Sequence, residues 1–294
     1  LIPKNDEFFG EYIPENKDNL KFISNFTGTY GFALILRKNN YLFVDGRYTL
    51  QAQIQSGKSF KIVTIPNQLP SDVLKNKKLL IGFDPRLHTE NMIRRLFKKS
   101  KCKLIPIKEN LINKIRSKTK TVKYKKFYKL NNNVSGQDSK IKIKKLLKKL
   151  KKNRIDFQFI SAPENVAWLL NLRGSDSKFT PMPNSYLILN NKNKIYFICN
   201  LNKIDKKLKK NLKNIKLVDI KNVEKFLINI KNKRIQVDSS TCSVFFENLI
   251  KKNNIIIQKH DPIYFLKSIK NKIEIRNIVK THIFDGAALT KFLF

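Results

Sequence analysis

Asp18-Asn-Leu-Lys-Phe-Ile-Ser-Asn-Phe-Thr-Gly28 returns later in the chain as Glu164-Asn-Val-Ala-Trp-Leu-Leu-Asn-Leu-Arg-Gly174. Each stretch sets an acidic residue and an asparagine before a short apolar pattern at helical spacing, then an asparagine and a glycine. A carboxylate favours a helix start electrostatically, and a glycine is suited to its end. The spacing predicts one short helix in each stretch, ended at Gly28 and at Gly174. The following residues repeat as well. Phe32–Leu36 and Tyr41–Asp45 flank the polar turn Arg37–Asn40, and Ser185–Leu189 and Ile195–Cys199 flank Asn190–Asn193. Both read as β-hairpins. Leu79–Asp84 then leads to a helix over about 88–99, and Arg234–Asp238 to one over 241–252. Each helix precedes an apolar run, Lys103–Pro106 or Ile255–Gln258. Matching elements in the same order make this a duplicated α/β unit of helix, hairpin, strand, helix and strand.

The length agrees, since 294 residues suit two domains of roughly 100–200 residues each. The second copy carries a helix (141–152) and a strand (157–160) in front. The first opens at Leu1-Ile2-Pro3, level with the end of that strand, so an equivalent helix and strand are expected to be missing. The polar Asn131–Gly136 run suggests a boundary, and another follows Pro262. The expected division is 1–133, 134–264 and 265–294. From Ser268 onward one long helix is expected, with Ile278, Ile283 and Ala287 approximating a stripe. The chain starts without methionine and ends on the apolar Leu289–Phe294 with no helix stop, so both ends read as cuts.

The formal net charge is +39, which invites phosphate binding. The excess is spread along nearly the whole chain, with Asn and Ile abundant beside Lys and with Arg scarce, although Arg is the better bidentate ligand for phosphate. That pattern looks like genome-wide codon bias. In the densest stretch, Lys140–Arg154, the residues Ile143, Leu146, Leu147 and Leu150 recur at helical spacing. An amphipathic helix with a solvated lysine face accounts for it, and no specific nucleic-acid partner is expected. No apolar run approaches the roughly 18 residues of a membrane helix. Cys102, Cys199 and Cys242 are too few and too scattered for a disulfide framework or a zinc motif. Buried free thiols in a reducing cytosol are expected.

No catalytic constellation emerges from the residues alone. His88, His260 and His282 lack metal-ligand spacing. His282 and Asp285 share a helix face, where a surface pair suffices. Ser175 has no histidine near it in sequence, and Gly28-Thr-Tyr-Gly31 lacks the spacing of a phosphate loop. Asp45-Gly46 favours a tight turn at a strand end, which puts Arg47 at an exposed rim. A local ion pair is its ordinary role there.

Phe26-Thr-Gly28, Phe43-Val-Asp-Gly-Arg-Tyr48 and Leu50-Gln-Ala52 resemble the first domain of aminopeptidase P, the Xaa-Pro aminopeptidases. Glu11-Tyr-Ile-Pro14, Gly82-Phe-Asp-Pro85 and Lys108–Lys114 fit the same family. So do Ala167-Trp-Leu-Leu-Asn-Leu-Arg-Gly-Ser-Asp176 with Ser185-Tyr186, and Lys270-Asn271, Glu274, Arg276 and His282-Ile-Phe-Asp-Gly-Ala287 near the end. Arg116 and Pro183-Asn184 depart from the pattern, standing where aromatic residues are frequent. The resemblance implies two tandem creatinase-type domains, each a mixed sheet flanked by helices, and the first helix of a truncated pita-bread catalytic domain. It further implies a cytoplasmic, homodimeric metallopeptidase that removes the residue before a proline at the second position of a peptide. Two divalent ions, usually manganese, are implied, bound by two Asp, one His and two Glu that all lie beyond Phe294. This chain is then expected to hold no catalytic residue and no metal, and to be inactive alone. By the same resemblance, Arg47 is the residue expected near the substrate of a partner subunit. The alternative is a stand-alone basic binding module derived from such a peptidase.

Overall fold

A computed structural model describes residues 1–116 and 124–294. In the first unit, β1 (Ile2–Pro3), β2 (Gly31–Ile35), β3 (Asn40–Asp45) and β4 (Lys61–Ile65) form one sheet, and β5 (Leu80–Phe83) pairs with β6 (Lys103–Pro106). The Leu1 amine donates to the Gly82 carbonyl at 2.7 Å, which ties β1 to β5. The strand order is therefore β4-β3-β2-β1, then β5-β6. After β7 (Tyr128–Lys129), the second unit contains β8 (Phe157–Ile160), β9 (Leu172–Arg173), β10 (Ser185–Asn190) and β11 (Ile195–Cys199). It continues with β12 (Lys216–Asp219), β13 (Arg234–Val237) and β14 (Ile255–Gln258). Its six-stranded sheet runs β12-β11-β10-β8-β13-β14, the same order in equivalent strands. The directions match as well: hairpins β2–β3 and β10–β11 are antiparallel, and β5–β6 and β13–β14 are parallel. These are mixed sheets with helices packed on them.

The repeat contains more elements than the sequence pattern suggested. Each unit also has a strand after the hairpin, β4 or β12, paired in parallel with the hairpin's second strand. These strands are only four or five residues long and lie at a sheet edge, so their signal in the sequence is weak.

Helix Asn19–Ser24 ends at Asn25 and helix Pro163–Leu170 at Asn171, both left-handed at φ 60° and 56°. The expected stops at Gly28 and Gly174 are thus corrected, because asparagine tolerates this conformation better than other side chains do. The glycines serve close packing instead. A Cβ on Gly28 would collide with the Phe26 ring, and one on Gly174 would lie 2.8 Å from the Met182 carbonyl oxygen.

The lysine-rich segment is the helix Ser139–Lys152, with Ile143, Leu146 and Leu150 buried in the second unit's core. Strand β7 pairs with β9, and Phe127 lies in that same core. The terminal helix starts later than expected. Helix Pro262–Ser268 buries Ile263, the chain breaks at Ile269–Asn271, and a helix runs over Lys272–Leu293. An Asn271/Glu274 capping box explains the restart. Cys199 and Cys242 are buried, whereas Cys102 is only half-buried. No helix among the described residues is long and apolar enough to cross a membrane.

The units meet through equivalent residues. Thr89 and Ser243, each five positions after its Asp84 or Asp238, form an antiparallel bridge. Each also caps its own helix, accepting from Met92 N or Phe246 N. Phe8 reaches across, stacking on Tyr186 with ring centroids 5.0 Å apart, and is buried in the second unit's core.

Candidate functional site

On one side of this junction lies a cleft of about 870 Å³. Its first wall is the segment between β1 and helix Asn19–Ser24, which contributes Glu7, Glu11, Glu15 and Lys17. The opposite wall is the loop Ser175–Phe179 with Asn184 and Lys203. Two ion pairs that water barely reaches frame it. Lys4 pairs with Asp18, which also caps helix Asn19–Ser24 through Lys21 N, and Lys203 pairs with Asp176 at 2.5 Å. Tyr12 meets Phe179 edge-on at 4.7 Å and links the walls. The cleft is lined by five acidic side chains and six lysines. In a chain of charge +39 this near-balance is local, and it suits a peptide-like ligand with both signs of charge.

Arg47 stands near the rim, in the tight turn after β3. Its Nε and Nη2 donate to Oδ1 and Oδ2 of Asp45 at 3.2 and 2.7 Å, and its guanidinium lies over Tyr48 at 5.3 Å. The Tyr48 hydroxyl is 2.8 Å from Thr29 Oγ1, and Thr29 lines the cleft. Hydrogen bonding to Arg47 lowers the Asp45 pKa, and the same pair raises that of Arg47, with a smaller contribution from the charge of Glu11. The side chain is 73% exposed, so its head projects into solvent on a fixed base.

The histidines sit elsewhere. His88 is fully buried, with Nδ1 2.8 Å from the Asp84 carbonyl oxygen, and burial lowers its pKa to about 4. His260 Nδ1 lies 3.0 Å from Asp238 Oδ2, and His282 is on the exposed face of the last helix. The described cleft lining contains no histidine or cysteine, so it offers Ser175 and Ser177 no imidazole base. Among the described residues, no three His, Cys, Asp or Glu side chains converge to hold a metal. The residues present therefore do not fit the metal pair that the resemblance implies.

Two family models, each described as a creatinase/prolidase N-terminal domain, match residues 11–118 and 118–274. The chain belongs to the creatinase/prolidase N-terminal domain family. The resemblance to the Xaa-Pro aminopeptidases holds as well. Xaa-Pro aminopeptidase 1 of Dictyostelium discoideum is 32% identical across 100% of this chain and 49% of its own length. A Drosophila melanogaster Xaa-Pro aminopeptidase is 29% identical over 99% of this chain and 50% of its own. The chain thus spans about half the length of the curated relatives it matches. A Caenorhabditis elegans X-prolyl aminopeptidase structure, described as a cytosolic enzyme with a di-nuclear active site, superposes with a TM-score of 0.89 at 24% identity. It covers 99% of this chain and 50% of that one. The expected fold, two creatinase-type domains in tandem, is the one observed.

Within this family fold, the sequence reading singled out Arg47 and overlooked the cleft. A signal was present. Four of the chain's 22 acidic residues, Asp6, Glu7, Glu11 and Glu15, fall between Pro3 and Asp18, in a stretch that has no counterpart between Ile160 and Glu164. An insertion into one copy of a repeat, with a reversed local charge, marks a segment that the shared fold does not require.

Proposed function

We propose that this chain is the two-domain, substrate-shaping half of a metal-dependent Xaa-Pro aminopeptidase, with catalysis carried by a further domain. The observation that carries the reading is the match along the whole chain to Xaa-Pro aminopeptidases, over about half of their length. The cleft between the units, with its mixed charges and aromatic side chains, supports a role in guiding peptides. The full enzyme is then a cytosolic homodimer acting on peptides with proline at the second position. Two divalent ions, manganese by preference, would be held by the catalytic domain. Arg47, projecting from its turn, reaches toward the substrate bound by the partner subunit.

The test is to assay this chain and the product of the longer reading frame for release of the first residue from an Xaa-Pro peptide, with and without Mn²⁺. Metal-dependent cleavage by the longer product, and none by this chain, is the expected result. Absence of cleavage by both, together with tight oligonucleotide binding at physiological salt, would favour a stand-alone basic module.

A further inference from the structure

The two units treat one equivalent asparagine differently. In the second unit, Asn165 is fully used: Nδ2 donates to Asp261 Oδ2 at 2.7 Å, and Oδ1 accepts from the Lys267 ammonium at 2.7 Å. Asp261 caps the helix Pro262–Ser268, and Lys267 follows the buried Ile263 by four residues. In the first unit, Asn110 caps the helix Leu111–Ile115, and Arg116 follows the buried Ile112 by four residues. Arg116 thus stands where Lys267 does, but it donates to the Asn16 and Asp18 carbonyl oxygens and stacks on Phe22. Asn19 Oδ1, the counterpart of Asn165 Oδ1, is buried without a hydrogen-bond partner among the described residues.

Asn19 lines a cavity of about 440 Å³ together with Asp6, Asp84, Asn110 and Tyr186. Asp6 is 3% exposed and has no ion-pair partner among the described residues. Burial raises its pKa to about 6, so at neutral pH it is ionised and desolvated. Of the cations along the cavity, Lys17 is held by Glu7, Arg86 is held by Glu224, and Lys221 is exposed. The buried Asn19 acceptor lacks a partner, and the buried Asp6 carboxylate, which accepts from Phe8 N at 2.9 Å, lacks a counter-ion, so both call for positive charge.

We propose that this cavity binds a monovalent cation of ammonium or potassium size, coordinated by Asn19 Oδ1 and the Asp6 carboxylate, in the place that the Lys267 ammonium takes in the second unit. A hard divalent ion is less suited, because it takes six or more oxygen ligands and, among the described residues, no three acidic, histidine or cysteine side chains converge here. The bound cation ties the segment carrying Asp6 to helix Asn19–Ser24. Since the adjacent Glu7 and Phe8 engage Tyr186, it also steadies the junction between units.

The test is thermal unfolding of the whole chain at fixed ionic strength in choline, ammonium or potassium chloride. Ammonium or potassium should raise Tm saturably. At ten times the apparent Kd, the ratio of folded to unfolded chain should increase about elevenfold. Asn19→Leu should flatten this dependence, and Asn19→Asp should tighten the apparent Kd. Equal Tm values in the three salts, or a dependence that persists in Asn19→Leu, would overturn the proposal. If the Leu variant does not fold, Asn19→Asp decides, and an apparent Kd that fails to fall sinks the idea.

Discussion

Lys142 is the one lysine of its helix that points inward. Its ammonium donates to the Trp168 carbonyl oxygen at 3.0 Å and to Asn171 Oδ1 at 2.6 Å, and it lies 4.2 Å from the Trp168 ring centre. It thereby supports the left-handed residue that ends helix Pro163–Leu170. Desolvation lowers its pKa from 10.5 to about 8. Between these values the unfolded chain binds the proton and the folded chain does not, so stability attributable to Lys142 increases with pH over that window. Below pH 8 both states are protonated and the contribution is constant. Lys142→Met leaves the buried Asn171 Oδ1 without a donor, and the Trp168 carbonyl oxygen with only its 3.4 Å bond from Asn171 N, and should cost about 1–3 kcal/mol at pH 7. Chemical denaturation from pH 7 to 10.5 should show the gap between wild type and variant widening above pH 8, and a constant gap would contradict the assignment. At Arg47 the expectation is reversed. Its pair with Asp45 is exposed, so Arg47→Ala should leave Tm unchanged in this chain. In the longer enzyme, turnover of Xaa-Pro peptides should fall on the order of tenfold, the loss expected for one charge-assisted hydrogen bond. Normal turnover with lowered Tm would return Arg47 to a purely local role.

At the scale of elements, the start of the last helix depends on a contact far away in sequence. Asn271 caps that helix and also donates to the Ser135 carbonyl oxygen at 3.0 Å. Gly136 is left-handed at φ 66°, and a Cβ there would collide with the Asn271 carboxamide. Gly136→Ala should therefore add backbone strain of roughly 1–2 kcal/mol and displace the cap. Hydrogen exchange should show faster opening over the first turn of helix Lys272–Leu293, with the second unit's core unaffected. Unchanged protection there would show that the cap does not depend on this contact. The rest of that helix carries exposed Ile275, Ile278, Val279, Ile283 and Phe284, so its anchoring rests on the capped end.

For the whole molecule, the junction decides whether the two units unfold together. Phe8 belongs by sequence to the first unit and by packing to the second unit's core. Removing the ring should cost about 3 kcal/mol, the usual value for a buried phenylalanine. Because that ring spans the junction, Phe8→Ala should also split a single calorimetric transition into two. A single transition at lower Tm would place the coupling elsewhere, at the Thr89–Ser243 bridge or the Arg86–Glu224 pair.

Periodicity and turn chemistry are local properties, and the sequence by itself determined what depends on them. Two copies of an α/β unit, the hairpins at Phe32–Asp45 and Ser185–Cys199, the amphipathic helix before Phe157 and the solvated lysines were all legible. So was the family, because strings such as Asp45-Gly-Arg-Tyr48 keep residue types that a turn and its neighbours require. The short edge strands β4 and β12 were not, since a half-exposed strand carries little apolar signal. Nor was the left-handed role of Asn25 and Asn171, which competed with nearby glycines for the same helix end. Only tertiary structure brought Phe8 to Tyr186, buried Lys142 against Trp168, and left Asn19 without the ammonium that its counterpart Asn165 receives. Partners such as Asn165 and Lys267 are 102 positions apart, and which side chains meet across that distance follows from packing, not from any pattern along the chain.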